Sequence, residues 1–236
     1  MNTFDRLQMM LGAVSTALGD DLLDRVAFVG GCVVGLLLTD AYSRQQVRAT
    51  DDVDLVVDVV SYAEYAKLEA MLRDRGFVVS PYDDVNCRWR LGELIVDVMP
   101  TDEKILGFSN RWYPQSLATA QWHQLDGGAK LKVVQAPYFL GTKLDAFENR
   151  GASDLLASRD AEDIFNLVDG RESLEYEIAA AEAPLREFVT ESISRLLEHS
   201  DFEYAIQSAT NGNMERSQML FDRFTTLAKA KRSDAV

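Results

Sequence analysis

Between Asp51 and Asp58 the sequence runs Asp-Asp-Val-Asp-Leu-Val-Val-Asp, and no other stretch limits the fold so tightly. Val53, Leu55, Val56 and Val57 form a short, mostly β-branched apolar run, which reads as a strand. Successive side chains on a strand face opposite ways, so Asp52 and Asp54 share a face at a separation of about 6–7 Å. Like charges at that distance repel by roughly 2.5 kcal/mol at an effective protein dielectric. A strand this apolar carries such a penalty most readily when a cation offsets it, and carboxylate oxygens are hard ligands suited to Mg2+ or Mn2+. The alternative is a solvated turn, with Asp51, Asp52 and Asp54 marking the entry to the strand.

A second stretch sharpens the first. In Gly92-Glu93-Leu94-Ile95-Val96-Asp97-Val98-Met99-Pro100, the apolar residues predict a buried strand that ends at the proline. Asp97 is the exception inside it. A carboxylate in such a run is rarely buried unless it is ion-paired, hydrogen-bonded or bound to a metal. If the two strands are neighbours, three carboxylates converge.

The rest of the chain frames these acids. Leu7, Met10, Leu11, Val14 and Leu18 recur at helical spacing and predict an amphipathic helix over Asp5–Leu18. Arg25–Val29 predicts a strand running into Gly30-Gly31, and the apolar segment Cys32–Tyr42 predicts one helix after it. Strand, glycine pair and helix together can accept a phosphate, because glycine lets backbone approach and a helix start offers free N–H groups. Residues 41–49 read as a polar, basic loop, from which Arg44 and Arg48 can reach phosphate or simply meet solvent. Ser61 and Glu64 form a capping box for a helix that Gly76 stops. Phe77–Val79 and Cys87–Leu91 predict further strands, 101–122 a loop and short helix, and Leu131–Val134 a last strand.

Pro137 opens a helix in its first turn, with Lys143 and Arg150 two turns apart on one basic stripe. Gly151–Asp154 reads as a flexible break. Ser158 then caps a helix whose first turns carry Asp160 and Asp163, where acids also favour the helix dipole. From Ser173 onward the pattern is helical, with a frayed tail at Lys231–Val236. The fold class expected is therefore α+β: a mixed-sheet core over 1–136, followed by an α-helical half over 137–236.

A net charge of −14 disfavours broad electrostatic binding to nucleic acid, though a local basic groove including Arg88 and Arg90 stays open. The acidic total suits a cationic small molecule or a protein partner. No run is long and apolar enough to span a bilayer, and the first residues lack a signal-peptide pattern. Cys32 and Cys87 form no disulfide framework, and His123 and His199 have no evident ligand partners. A cytoplasmic location without membrane attachment is the expectation.

Gly30-Gly31, Asp52-Val53-Asp54 and Asp97, in that order, resemble the hallmark of the nucleotidyltransferase superfamily with a DNA polymerase beta-like fold. Lys143-Leu144-Asp145-Ala146-Phe147 with Arg150, followed by Arg159-Asp160 and Asp163, brings the resemblance closer to the AbiEii abortive-infection group. That group includes toxins of type IV toxin–antitoxin systems. The similarity covers about Phe28–Gly170, and Gly31 departs from it where many relatives carry serine. It implies a catalytic set of Asp52, Asp54, Asp97 and Lys143, with the three aspartates holding Mg2+ or Mn2+. It implies nucleotide binding by Gly30, Gly31, Arg48, Lys143, Arg150, Asp160 and Asp163. The implied reaction moves an NMP from an NTP to an acceptor hydroxyl, on a tRNA end or a protein, and a cognate antitoxin is an implied partner. An aminoglycoside-like acceptor and a non-catalytic binding module on the same fold are the alternatives.

Overall fold

A computed structural model describes residues 2–83, 85–150 and 154–230. Residues 151–153 of the expected break at 151–154, and the expected frayed tail at 231–236, lie outside the described residues. The chain divides into two compact units, Met1–Gly35 with Val47–Gln135 and Leu36–Gln46 with Ala136–Val236. The class is α+β, with a mixed sheet and a helical C-terminal part.

The first unit holds six strands: β1 (Val26–Val29), β2 (Asp52–Val57), β3 (Arg88–Leu91), β4 (Leu94–Pro100), β5 (Gln121–Gln124) and β6 (Lys130–Val133). Their order is β3-β4-β2-β1-β6-β5. The pairs β2/β4 and β1/β6 are parallel, and β1/β2, β3/β4 and β5/β6 are antiparallel. Helix α1 (Thr3–Leu23) begins at Asn2, whose side chain accepts from the Asp5 N–H. Its apolar face (Leu7, Met10, Leu11, Val14, Leu18 and Leu22) is buried, and the helix packs across β6, β1 and β2. It runs longer than expected because the chain passes through Gly19, at φ +66°, and resumes helical geometry.

The segment after the glycine pair departs from the expected single helix. Gly31–Val33 is a short 3-10 turn, α2 (Val34–Leu37) is one turn, and α3 (Ala41–Gln45) is separate. The break comes from Asp40, whose carboxylate caps a fresh helix start by accepting from the N–H groups of Tyr42 and Ser43. The apolar run hid an ordinary N-cap. The expected polar loop at 41–49 is correspondingly half helix, and Arg44 folds back to donate twice to the Leu38 carbonyl.

Helix α4 (Tyr62–Asp74) starts as the capping box predicts. Ser61 accepts from the Glu64 N–H, while Glu64 reaches back to the Val60 N–H rather than to that of the cap itself. Val78 contributes an isolated bridge to Arg90 in place of a full strand. Within 101–122 the chain forms α5 (Glu103–Leu106), α6 (Tyr113–Ala118) and the start of β5. Strand β5 was not expected: Gln-Trp-His-Gln has no apolar alternation, and as an edge strand it buries little.

The second unit contains α3, α7 (Ala136–Asn149), α8 (Arg159–Gly170), α9 (Leu174–Ala180), α10 (Ala183–Leu197), α11 (Phe202–Ala209) and α12 (Met214–Leu227). Phe165, Phe202 and Phe224 form its aromatic core, with ring centroids 4.8–5.6 Å apart. Arg216 on α12 ties three helices together by donating to Asp169, Asp40 and Ser43. That guanidinium, with the Ser43 hydroxyl, holds the Asp40 carboxyl well below the usual carboxylate range. Gly170 permits the close approach, since a Cβ there would lie 2.7 Å from that of Ser43. Among the described residues no helix is long and apolar enough to cross a membrane.

Candidate metal centre

The parallel register of β2 and β4 sets Asp54 directly opposite Asp97 and Asp52 opposite Ile95. Asp52 and Asp54 are two apart on one strand, so all three carboxylates emerge on the same face. Each contributes an oxygen, and these oxygens lie within 4.8 Å of one another. Among the described residues this group can hold a metal ion, and its donors are hard oxygens alone. Asp97 is buried, at 7% exposure, while Asp52 and Asp54 are half-buried.

Three neighbours fix the carboxylates. Gly30 adopts φ +71°, and an ideal Cβ built on it would fall 1.7 Å from the Asp54 Oδ2. The space a side chain would fill is therefore the space that Asp54 occupies, which explains the glycine without any appeal to phosphate. The 3-10 turn that follows is too short to act as a helix terminus for an anion. Thr50, itself buried, donates its hydroxyl to Asp52. Arg88 takes both oxygens of Asp97, Nε to Oδ1 at 2.8 Å and Nη2 to Oδ2 at 2.7 Å.

Those contacts bear on the electrostatics. At the outer limit of 4.8 Å a pair of carboxylates repels by about 3.5 kcal/mol at an effective dielectric near 20. Arg88 offsets charge at Asp97, and a divalent cation would offset more. The same environment acts on Cys87, just before β3: burial first, then the charges of Asp97 and Asp54, push its thiol up to about 12. Among the described residues neither cysteine forms a disulfide, and both are buried.

In the groove expected to include Arg88 and Arg90, both guanidinium groups are ion-paired, Arg88 with Asp97. In the structure Arg90 is bound bidentately by Asp83. The signal for Arg88 was legible in principle. Gly92-Glu93 makes a two-residue hairpin turn, which pairs Leu91 with Leu94 and carries the register on to Arg88 and Asp97. Arg48 lies half-buried in the chain leading to β2, with Nη1 donating to the Ala49 carbonyl at 3.5 Å. Asp51 stays on the surface in an exposed pair with Arg6 and takes no part in the group.

The other expected site residues belong to the second unit. There the Lys143 ammonium lies 3.1 Å from Asp160 and 2.7 Å from Asp163, and Arg150 reaches Asp160 at 2.8 Å. Asp163 is wholly buried, Asp160 and Lys143 nearly so, while Arg150 is exposed. Two cations and two anions thus form a compact cluster joining α7 to α8. Among the described residues neither histidine belongs to a metal-holding group; His199 accepts from the Asp201 N–H.

No family profile matches this sequence, and no curated protein is similar to it. Among solved structures, JHP933 from Helicobacter pylori is similar over 97% of this chain and 93% of that one, at 11% identity and a TM-score of 0.45. At that level the similarity says nothing about activity.

Proposed function

We propose that this chain is a metal-dependent nucleotidyltransferase, moving an NMP from an NTP to an acceptor hydroxyl and releasing pyrophosphate. The observation that carries the reading is the convergence of Asp52, Asp54 and Asp97 from two adjacent strands. The order of Gly30-Gly31, Asp52-Val53-Asp54 and Asp97 along the chain supports it. The donor set suits Mg2+ or Mn2+, which supplies charge neutralisation on a triphosphate and acidifies a nearby hydroxyl.

In this reading Asp52 and Asp54, fixed by Thr50 and Gly30, hold the ion from one strand, and Asp97 completes the set. An Asp97 oxygen takes the acceptor's proton as the acceptor oxygen attacks the α-phosphorus. The bond from the α-phosphorus to the bridging oxygen breaks, and pyrophosphate leaves. Gly30 makes room for Asp54, Gly31 lets backbone approach the phosphates, and Arg48 adds positive charge. By the family resemblance Lys143 and Arg150 are assigned to nucleotide binding, with Asp160 and Asp163 holding the lysine. The acceptor proposed first is an RNA end or a protein hydroxyl, with a small cationic acceptor as the alternative.

Incubation with each α-labelled NTP and a cell lysate should label one class of acceptor. Asp52→Ala and Asp97→Ala should each cut labelling by at least about 10²–10³-fold, as expected for loss of a preorganised electrostatic group. Circular dichroism should stay unchanged. Labelling that persists in both variants contradicts the assignment. A second reading, a non-catalytic binding module, is favoured by the Arg88–Asp97 pair, which partly neutralises the acids without any metal. It predicts no labelling by any NTP.

A further inference from the structure

We infer that Arg88 is a built-in counterion of the metal centre, which a divalent cation must displace from Asp97 before the three carboxylates can close on it. The inference rests on the metal-centre reading and deepens it. Strand register places Arg88 directly across from Asp97, and its fork engages both carboxylate oxygens. Two oxygens bound to one Mg2+ at about 2.0–2.1 Å can be no more than about 4.2 Å apart. The three oxygens already lie within 4.8 Å of one another, and both oxygens of Asp97 serve the guanidinium.

Asp97 is the ligand held on both oxygens by Arg88. Asp54 is backed by the Cα of Gly30, and Asp52 is tied to Thr50 two residues earlier in the chain. Giving an Asp97 oxygen to an ion breaks the bidentate geometry with Arg88, whose donors are directional and planar. The Arg88 side chain is about a quarter exposed, at 23%, so a released guanidinium has solvent to enter. Metal and arginine therefore compete for the same two oxygens. Affinity for the ion is set by how firmly Arg88 holds them.

Titration calorimetry with Mn2+ on the full chain tests this, using the wild type, Arg88→Ala and Arg88→Lys. Arg88→Ala should bind Mn2+ about tenfold tighter, the equivalent of losing one competing charge-assisted contact. Arg88→Lys keeps the charge but cannot grip both oxygens, so it should tighten binding by a few-fold and also guards against a misfolded alanine variant. In the wild type, saturating Mg2+ should move the Arg88 Nε–H signal in 15N NMR spectra, assigned by its loss in Arg88→Lys. Wild-type binding that is unchanged or weakened in both variants overturns the inference alone, as does an Nε–H signal indifferent to Mg2+. Absence of Mn2+ binding in all three proteins overturns it together with the metal-centre reading.

Discussion

Gly30→Ala should lose about 2–4 kcal/mol of stability in urea unfolding and about 10–100-fold in Mn2+ affinity. Two costs add. The backbone at φ +71° and ψ −174° lies in a region that side-chain-bearing residues essentially do not adopt. The new methyl would also meet Asp54 at Oδ2, Cγ and Cβ, at 1.7, 2.5 and 2.7 Å, so that side chain must rotate away. The backbone cost and the displacement of Asp54 can be separated. Gly107 sits at φ +81° with nothing near its missing Cβ, so Gly107→Ala should cost about 1–2 kcal/mol and leave Mn2+ affinity unchanged. Equal metal affinity in wild type and Gly30→Ala would mean that Asp54 is not a ligand.

The second large effect belongs to the helical unit. Lys143→Ala removes the ammonium between Asp160 and Asp163, which are 8% and 0% exposed at their side chains. Breaking a buried pair by deleting one partner costs about 3–5 kcal/mol, because the remaining charge stays buried. The urea midpoint should fall accordingly. Asp163→Asn added to Lys143→Met should recover part of the loss, since the stranded charge is then gone. A Lys143→Ala variant within about 1 kcal/mol of wild type would show that the cluster is hydrated and that the lysine contributes nothing to the helical unit's stability.

What could be read from residues alone follows the reach of each signal. Asp52 and Asp54 share a face because alternation on a strand is a local rule, and Ser61 and Ser158 start helices because caps act within one turn. The pairing of β2 with β4, which brings in Asp97, required one long-range assumption about neighbouring strands. The errors came where local signals conflicted or were faint. Asp40 was lost in an apolar run that read as one helix, and the polar edge strand around Trp122 had no alternation to read. The pairing of Arg88 was out of reach for a different reason. Its partner is fixed by the register of a hairpin, which depends on reading Gly92-Glu93 as a two-residue turn.

The same comparison changes why the glycine pair matters. From sequence, Gly30 and Gly31 suggested an anion site at a helix start. In the fold, no long helix follows, and Gly30 is needed because Asp54 lies where a side chain would go. A residue type expected for one ligand is thus explained by the placement of another.

The most direct test is a crystal of the protein grown with Mn2+ and a non-hydrolysable NTP, with data collected at the manganese absorption edge. The account predicts an anomalous peak about 2.0–2.3 Å from oxygens of Asp52, Asp54 and Asp97, with the Arg88 guanidinium moved off Asp97. No peak among these three residues, with Arg88 still bidentate on Asp97, would contradict it.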